Sequence, residues 1–210
     1  MSMEKLNAAI IGMGFIGRQH YEALRRLTGV HIRAICVSRP EHIERTKAEF
    51  DADYVTADWR EIMADPEIHT VHNCTPNIAH DEVNLAAVSA GKHIYAEKPM
   101  SITTEGAEKV AAAAKAAGVA NAINHQYRMN AAVLEMRARI AAGMSGKILY
   151  VSGRYMQDSV ARHDDYTPRR IPETSPARAL LDIGVHWADT ASFVTGAPIK
   201  KVYARMYTHY

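Results

Sequence analysis

The feature that most constrains the fold is a glycine-rich turn, Gly12-Met13-Gly14-Phe15-Ile16-Gly17, placed between an apolar run and a segment with helical spacing. The run from Asn7 to Ile11 is typical of a fully buried strand. Phe15 to Leu27 predicts a helix. The apolar residues available to one face of that helix are Phe15, Ile16, Ala23, Leu24 and Leu27.

Glycines at these three positions allow a tight turn, let the backbone approach a pyrophosphate and permit close packing of helix on strand. The turn therefore predicts a dinucleotide site. The alternative is an ordinary glycine-rich turn between a strand and a helix. The expected cofactor contacts from this turn are Gly12, Gly14, Phe15, Ile16 and Gly17.

Strand and helix patterns alternate through the rest of the first half. Predicted strands span residues 31–37, 70–74, 93–96 and 119–123, and predicted helices span 41–50, 78–90 and 103–117. Between the helix at 41–50 and the strand at 70–74 we expect a short irregular passage that contains residues 58–63. This alternation predicts an α/β fold with a doubly wound parallel sheet covered on both faces.

The pattern changes after residue 123, so we predict one domain over residues 1–123 and the start of a second over 124–210. Helical spacing covers residues 131–142 and 184–194, whereas 147–156 and 200–207 alternate as strands. Residues 158–178 predict a long loop, which in a compact domain is usually functional or mobile. The second domain is thus expected to be α+β, with a sheet that two strands begin and do not complete.

Composition excludes several classes of partner and site. The 210 residues carry a net charge of +2 without a basic block, so nucleic acid and anionic membrane surfaces are not expected partners. No run approaches the roughly 20 apolar residues of a membrane helix, and no secretory signal is recognised. The eleven histidines lack metal-binding spacing, so no metal site is predicted.

The only two cysteines, Cys36 and Cys74, each lie in an apolar run. We expect two buried free thiols and therefore a cytoplasmic protein, with a disulfide between them as the alternative.

Residues after the second predicted strand indicate the choice of cofactor. Where a carboxylate would bind the ribose 2′-hydroxyl of NAD, the chain has Ser38-Arg39-Pro40. Ser38 can donate a hydrogen bond to a 2′-phosphate, and Arg39 can pair with it or stack on adenine. The sequence therefore predicts that NADP is bound in preference to NAD. NAD stays a possible cofactor. The alternative is that Arg39 is a solvated loop residue.

Thr75-Pro76-Asn77 follows the predicted strand at 70–74, with His80 close behind. Residues at the carboxyl end of a parallel strand line the crevice in which a dinucleotide lies, so these four are expected cofactor contacts. Asn77 also suits a helix N-cap, and the two roles are compatible.

Three ionisable residues are suited to moving a proton. Lys98, in Glu97-Lys98-Pro99, follows a buried strand and can neutralise developing oxyanion charge, although taken alone it is typical of a surface lysine. Asp182 and His186 are four residues apart, which places them on one helix face if the helix starts early enough. His186 suits a general base, whereas taken alone the pair also fits a helix N-cap and a core histidine.

The order Gly12-x-Gly14-x-x-Gly17, Thr75-Pro76-Asn77, Glu97-Lys98-Pro99 and Asp182-x-Gly184-x-His186-x-x-Asp189 resembles the Gfo/Idh/MocA oxidoreductase family. The resemblance implies a Rossmann domain followed by an open-faced sheet domain. It implies that Lys98, Asp182 and His186 are catalytic and bind substrate. His186 would be the acid/base, Lys98 would contact the reacting hydroxyl and the nicotinamide ribose, and Asp182 would hold a neighbouring hydroxyl. Glu97 joins the expected cofactor contacts, and Arg128, Tyr155 and Gln157 the expected substrate contacts.

The resemblance implies hydride transfer between a nicotinamide cofactor and a secondary hydroxyl or carbonyl of a sugar, cyclitol or related polyol. Two alternatives stay open: NAD-dependent cleavage of glycosides, and a catalytically impaired cofactor-binding sensor or truncated subunit. Family members usually continue beyond the equivalent of Tyr210. We therefore expect an incomplete second sheet here, and a homo-oligomer through that sheet in the full-length family.

Overall fold

The computed structural model describes residues 5–157 and 179–207, together with Glu173 and Ala177. The described chain divides into two compact units. We call residues 5–124 the first unit, and residues 125–157 with 179–207 the second unit. No described helix has the length and apolar character that crossing a membrane requires.

The first unit is a six-stranded parallel sheet in the order β3-β2-β1-β4-β5-β6. Its strands are β1 (Leu6–Ile11), β2 (Val30–Cys36), β3 (Tyr54–Thr56), β4 (Thr70–Asn73), β5 (His93–Glu97) and β6 (Asn121–Asn124). Its helices are α1 (Phe15–Leu24), α2 (Ile43–Glu49), α3 (Trp59–Ala64), α4 (His80–Ser89) and α5 (Thr104–Ala117). The predicted doubly wound parallel sheet is confirmed.

Both faces of the sheet are buried, as β1 shows. Ala8 and Ile10 pack in one apolar cluster with Tyr21 and Leu24 of α1. The alternate residues of β1 pack on the opposite face in a second cluster that includes α4. Because side chains alternate along a strand, the near-continuous apolar run of β1 is what a strand covered on both faces requires.

The apolar face predicted for α1 is partly wrong: Leu24 is buried and Ile16 packs against the core, but the other three residues are exposed. Phe15 is 80% exposed and Leu27 lies beyond the helix, whereas the buried residues of α1 are Gly17, His20, Tyr21 and Leu24. Gly17 packs directly against the glycine turn, so closely that a Cβ at this position would overlap the carbonyl oxygen of Gly12. This contact fixes which side of the helix is turned inward. Positions three, four and seven residues later lie on the same helical face, so they become the buried ones.

A short strand and a helix stand where an irregular passage was expected. β3 has only three residues, too few for a period of two to be recognised. The helix α3 begins after Asp58, whose carboxylate accepts a hydrogen bond from Arg60 N at 3.0 Å. This is the usual N-cap arrangement.

The two cysteines are buried and free, as predicted. Burial raises the pKa of the Cys36 thiol to about 12, with smaller contributions from Asp58 and Glu61. Burial also raises the pKa of Cys74. Both thiols are therefore protonated in the folded protein at neutral pH.

The second unit contains α6 (Ala131–Ala141) and α7 (Val185–Thr195). A 3-10 turn at Gln126–Met129 precedes α6, and a π-helical turn at Leu180–Gly184 precedes α7. Over the described residues, the segments 147–156 and 200–207 form no paired strand, contrary to the alternation in their sequences. Alternation favours a strand, but a ladder also needs a partner for its backbone hydrogen bonds. Most of the predicted 158–178 loop lies outside the described residues.

Candidate functional site

The glycine turn connects the carboxyl end of β1 to α1 with almost no free space at two of its glycines. Gly12 has φ +98°, and a Cβ there would lie 2.5 Å from the carbonyl oxygen of Cys74. Gly17 faces the carbonyl oxygen of Gly12. Glycine is therefore required at both positions, at Gly12 by conformation and contact and at Gly17 by contact.

Gly14 differs from the other two glycines in having free space beside its Cα. Nothing lies within 4 Å of an added Cβ, and Gly14 is the N-cap of α1 without a side-chain cap among the described residues. The first N–H groups of a helix carry positive partial charge and bind anions such as a pyrophosphate. The turn thus fits a dinucleotide, with Phe15 and Ile16 in the first turn of the helix.

Ser38 and Arg39 follow β2 in an exposed loop. The Arg39 side chain is 69% exposed, and its guanidinium lies 3.8 Å from the carboxylate of Glu41. A bound 2′-phosphate at Arg39 would therefore have a carboxylate in its neighbourhood, which sequence reasoning did not consider.

The loop after β4 is held by Asn73. The Asn73 amide oxygen accepts hydrogen bonds from the Thr75 hydroxyl at 2.6 Å and from its backbone N at 3.2 Å. Pro76, not Asn77, stands at the N-cap position of the following 3-10 turn, so the suggested capping role of Asn77 is wrong. Thr75, Pro76 and Asn77 nevertheless lie at the carboxyl end of a parallel strand, where a dinucleotide contact was predicted.

His80 is fully buried and joins two loops. Its Nδ1 lies 2.6 Å from the carbonyl oxygen of Pro99, and its Nε2 lies 2.9 Å from that of Thr75. Both ring nitrogens are engaged with the backbone, so the predicted cofactor contact becomes a support for the Thr75 and Pro99 loops.

Glu97 ends β5 and is only 5% exposed. Its carboxylate accepts from His20 Nε2 at 3.1 Å, from Asn124 Nδ2 at 2.6 Å and from the backbone N of Lys98 at 3.3 Å. Burial raises the pKa of Glu97, but hydrogen bonds from His20 and Asn124 outweigh it, and the pKa is lowered. The carboxylate is therefore ionised and directed inward. Lys98 is half-buried at the carboxyl end of the sheet, and the Lys98–Pro99 peptide is cis.

In the second unit, rings surround His186 at the start of α7. His186 is buried, the Tyr127 ring centroid lies 4.6 Å from its own in an edge-on arrangement, and those of His125 and Tyr155 lie 6.2 and 6.3 Å away. Asp182 lies in the π-helical turn one turn before His186.

A short hydrogen-bonded chain runs from Tyr127 to Gln157. The hydroxyls of Tyr127 and Tyr155 are 2.6 Å apart, and Gln157 Nε2 donates to the Tyr155 hydroxyl at 2.9 Å. Burial, then the bond to Tyr127, raises the pKa of Tyr155 to about 12, and the charge of Asp182 contributes in the same direction. Tyr155 therefore stays a neutral hydrogen-bonding group. The structure thus joins Gln157 to Tyr155 and places the Tyr155 ring near His186, while their contact with substrate stays a prediction.

Arg128 has a partner that sequence reasoning did not assign. Its Nε donates to Asp189 Oδ2 at 2.8 Å and its second nitrogen bonds Oδ1, with the guanidinium over the Phe193 ring at 5.3 Å. The bond to Asp189 raises the pKa of Arg128 against an opposing effect of burial. Arg128 is consequently held against α7. Its predicted contact with substrate would use the guanidinium N–H groups that do not bond Asp189.

The residues of these arrangements that were not predicted include His20, Asn124 and Tyr127. His20 comes three residues after Gly17, which is a usable signal once the buried face of α1 is known. Among the described residues, no cluster of three or more histidine, cysteine or acidic side chains is arranged to hold a metal ion.

Comparison with known families decides the relationship. Residues 6–125 match a family described as an oxidoreductase family with an NAD-binding Rossmann fold. The chain belongs to the Gfo/Idh/MocA oxidoreductase family. A C-terminal domain of the same Gfo/Idh/MocA group matches residues 133–210, so the family covers both units.

Two curated Gfo/Idh/MocA relatives illustrate the likeness. Levoglucosan dehydrogenase of Pseudarthrobacter phenanthrenivorans is 33% identical over 203 residues, which is 92% of this chain and 52% of that protein. A 1,5-anhydro-D-fructose reductase of Ensifer adhaerens is 32% identical over 192 residues, 88% of this chain and 55% of that protein. The chain spans about half the length of these relatives.

A solved structure of levoglucosan dehydrogenase in complex with NADH superposes with a TM-score of 0.87 at 33% identity. The match covers 92% of this chain and 54% of that one. The Rossmann fold and the family are thereby established, and NAD is the nucleotide that the family description names.

Proposed function

We propose that this chain is the cofactor-binding and catalytic part of an NAD(P)-dependent oxidoreductase that acts on a secondary hydroxyl or carbonyl of a sugar, cyclitol or related polyol. The observation that carries the proposal is the glycine turn. A Cβ at Gly12 or Gly17 would overlap backbone atoms, whereas the space beside Gly14 is free. The names of the relatives support the substrate class, since they act on levoglucosan, anhydrofructose and inositols. We also propose that the two units are separate domains, and that the second mediates homo-oligomerisation.

When bound, the nicotinamide accepts or delivers the hydride. His186 takes the proton of the reacting hydroxyl, and the Tyr127 ring fixes the plane of its imidazole. Asp182 holds a neighbouring hydroxyl, and Tyr155 with Gln157 orients the polyol by hydrogen bonds. Lys98 neutralises negative charge on the reacting oxygen.

The experiment is to incubate the protein with NAD or NADP and a panel of sugars and cyclitols, and to follow the reduced cofactor by absorbance. We expect turnover with part of the panel. H186A should lower kcat by about 10²- to 10⁴-fold, as loss of an acid/base does, with an unchanged Kd for the cofactor. H31A, which removes a half-exposed histidine on β2, serves as the control. A cofactor-bound protein without turnover on any polyol contradicts the proposal.

The finer proposal is a preference for NADP over NAD. It rests on Ser38 and Arg39, and Glu41 opposes it because a carboxylate repels a 2′-phosphate. Titration of both cofactors tests it. R39A should weaken NADP binding and leave NAD binding unchanged, whereas E41Q should strengthen NADP binding alone. Equal or tighter binding of NAD by the unaltered protein rejects the preference.

A further inference from the structure

Five polar side chains form a group next to Lys98 in the first unit, of which His20 and Glu97 are buried and the other three half-buried. We call it the Glu97 cluster, and its members are His20, His72, Tyr95, Glu97 and Asn124. The cluster joins four elements, because His20 lies on α1, His72 on β4, Tyr95 and Glu97 on β5, and Asn124 on β6. None of these side chains has a part in the chemistry proposed above.

The polar atoms of the cluster form one continuous network. Glu97 Oε1 accepts from His20 Nε2 and from Asn124 Nδ2, while Asn124 Oδ1 accepts from the Tyr95 hydroxyl at 3.0 Å. His20 Nδ1 faces His72 Nδ1 at 3.1 Å. Buried networks of this kind rigidify their surroundings when every member has partners.

The network leaves little of Glu97 for a ligand. Oε1 has two donors, Oε2 accepts the backbone N–H of Lys98, and the residue is 5% exposed. His20 is equally buried. A direct bond from cofactor to this carboxylate would have to displace a protein donor.

We infer that Glu97 and His20 are positioning residues, which tie the helix that follows the glycine turn to the backbone of Lys98 and thereby set that lysine for catalysis. The inference rests on the proposed function and replaces the predicted cofactor contact of Glu97. Helix α1 begins at the glycine turn and carries His20 on its buried face. His20 bonds the side chain of Glu97, the residue before Lys98, so this hydrogen bond links the helix directly to the Lys98 segment. A misplacement of about 1 Å in a reacting group costs roughly 10²-fold in rate.

A stabilising role alone does not account for the arrangement. Replacing both partners of a buried hydrogen bond by apolar groups of the same shape is often nearly neutral or stabilising. The pair at this site also bonds the Lys98 amide, which an apolar pair cannot do.

The test uses E97Q and H20Q, because a glutamine in either place keeps a polar side chain of comparable length. E97Q replaces one acceptor oxygen by an NH₂ group, so it loses either the bond to Lys98 N or the bonds from His20 and Asn124. The matched control is the exposed pair of the same chemistry, His31 and Asp53, which are 2.8 Å apart, and its variants are H31Q and D53N.

We expect E97Q and H20Q to lower kcat tenfold or more while the Kd for NAD or NADP changes less than about twofold, because the lysine is displaced and the nucleotide turn is intact. H31Q and D53N should leave both quantities unchanged. A rise in cofactor Kd that matches the fall in kcat means that Glu97 contacts the cofactor and overturns the inference. Unchanged kcat in E97Q and H20Q overturns it as well.

A second readout needs no cofactor and separates this inference from the proposed function. In ¹⁵N spectra of the full chain, H20Q should shift the backbone amide of Lys98, and E97Q should change the ring nitrogens of His20. A protein that binds neither cofactor but shows both shifts refutes the proposed function alone. An unmoved Lys98 amide in H20Q refutes the link itself.

Discussion

The first unit and the second unit hold their functional side chains by different means. In the first, a sheet covered on both faces buries its apolar residues, and the polar groups near Lys98 have buried partners. In the second, His186 is the only buried residue among those that the structure describes. Large apolar side chains are exposed there, including Leu149 and Tyr150 at 83% each.

The difference shows which interactions position the candidate residues within each unit. Around Lys98, buried histidines bond loop carbonyls and a carboxylate, so the loops cannot move without breaking the core. In the second unit, two tyrosine rings lie near His186, and Arg128 and Asp189 form a partly exposed ion pair. Local unfolding costs less free energy where side chains are only partly buried than it does in the core of a sheet.

The largest expected effect compares one core residue with one exposed residue. Ile10 is fully buried in β1, and I10A should lower the free energy of unfolding by about 3 to 4 kcal/mol. Leu149 is 83% exposed, so L149A should change it by less than about 0.5 kcal/mol. Urea unfolding of both variants measures the two costs, and similar costs would abolish the contrast between the units.

A second comparison uses two glycines with positive φ. Gly12 has φ +98° with the Cys74 carbonyl in the way, whereas Gly196 has φ +68° and open space. G12A should cost about 2 to 4 kcal/mol, because conformational strain and overlap add, and G196A about 1 kcal/mol from strain alone. Thermal unfolding gives both values. A G12A variant no less stable than G196A contradicts the close approach at the glycine turn.

The third prediction concerns acid stability of the first unit. Burial, then the proximity of His20, lowers the pKa of His72 from 6.5 to about 3. Between these pH values the unfolded chain binds a proton at His72 and the folded chain does not, so stability falls as pH falls. One proton corresponds to at most about 1.4 kcal/mol per pH unit. H72Q should flatten the stability curve over this window, and curves of equal slope for the two proteins count against it.

The smallest expected effect is the loss of a helix N-cap, and it should lower the free energy of unfolding equally in the two units. Asp58 caps α3 in the first unit and Asn130 caps α6 in the second, each accepting a backbone N–H at 3.0 Å. D58A and N130A should each cost about 1 kcal/mol, because capping is local and needs no core. Chemical denaturation compares them. A cost confined to D58A means that the units also differ in local structure.

Sequence patterns predicted the parts of the molecule that local rules determine. The β1 run, the glycine turn and the alternation of strands with helices were predicted because each depends on neighbouring residues. The apolar face of α1 was predicted only in part, at Ile16 and Leu24, since the contact between Gly17 and Gly12 sets which side of the helix is buried. For 147–156, alternation indicated a strand, but the described residues supply no pairing partner.

Partners distant in sequence explain what was missed at the site. His20 lies 77 positions from Glu97, and Asn124 lies 27 positions from it. The inward direction of the Glu97 carboxylate therefore appears only in the folded sheet. Likewise, Arg128 was expected at the substrate, while its bond to Asp189, 61 positions away, depends on how α7 packs.

The strand order has a consequence for synthesis on the ribosome. β1 leaves the ribosome first, yet it lies inside the sheet, and Asn7 N donates to His69 Nδ1 across 62 positions of chain. At about 5 to 20 residues per second, roughly 3 to 12 s separate the emergence of these two residues. During that interval the edge of β1 that pairs with β4 has no native partner. An unpaired apolar strand edge favours aggregation, so the nascent chain is exposed to that hazard until β4 emerges.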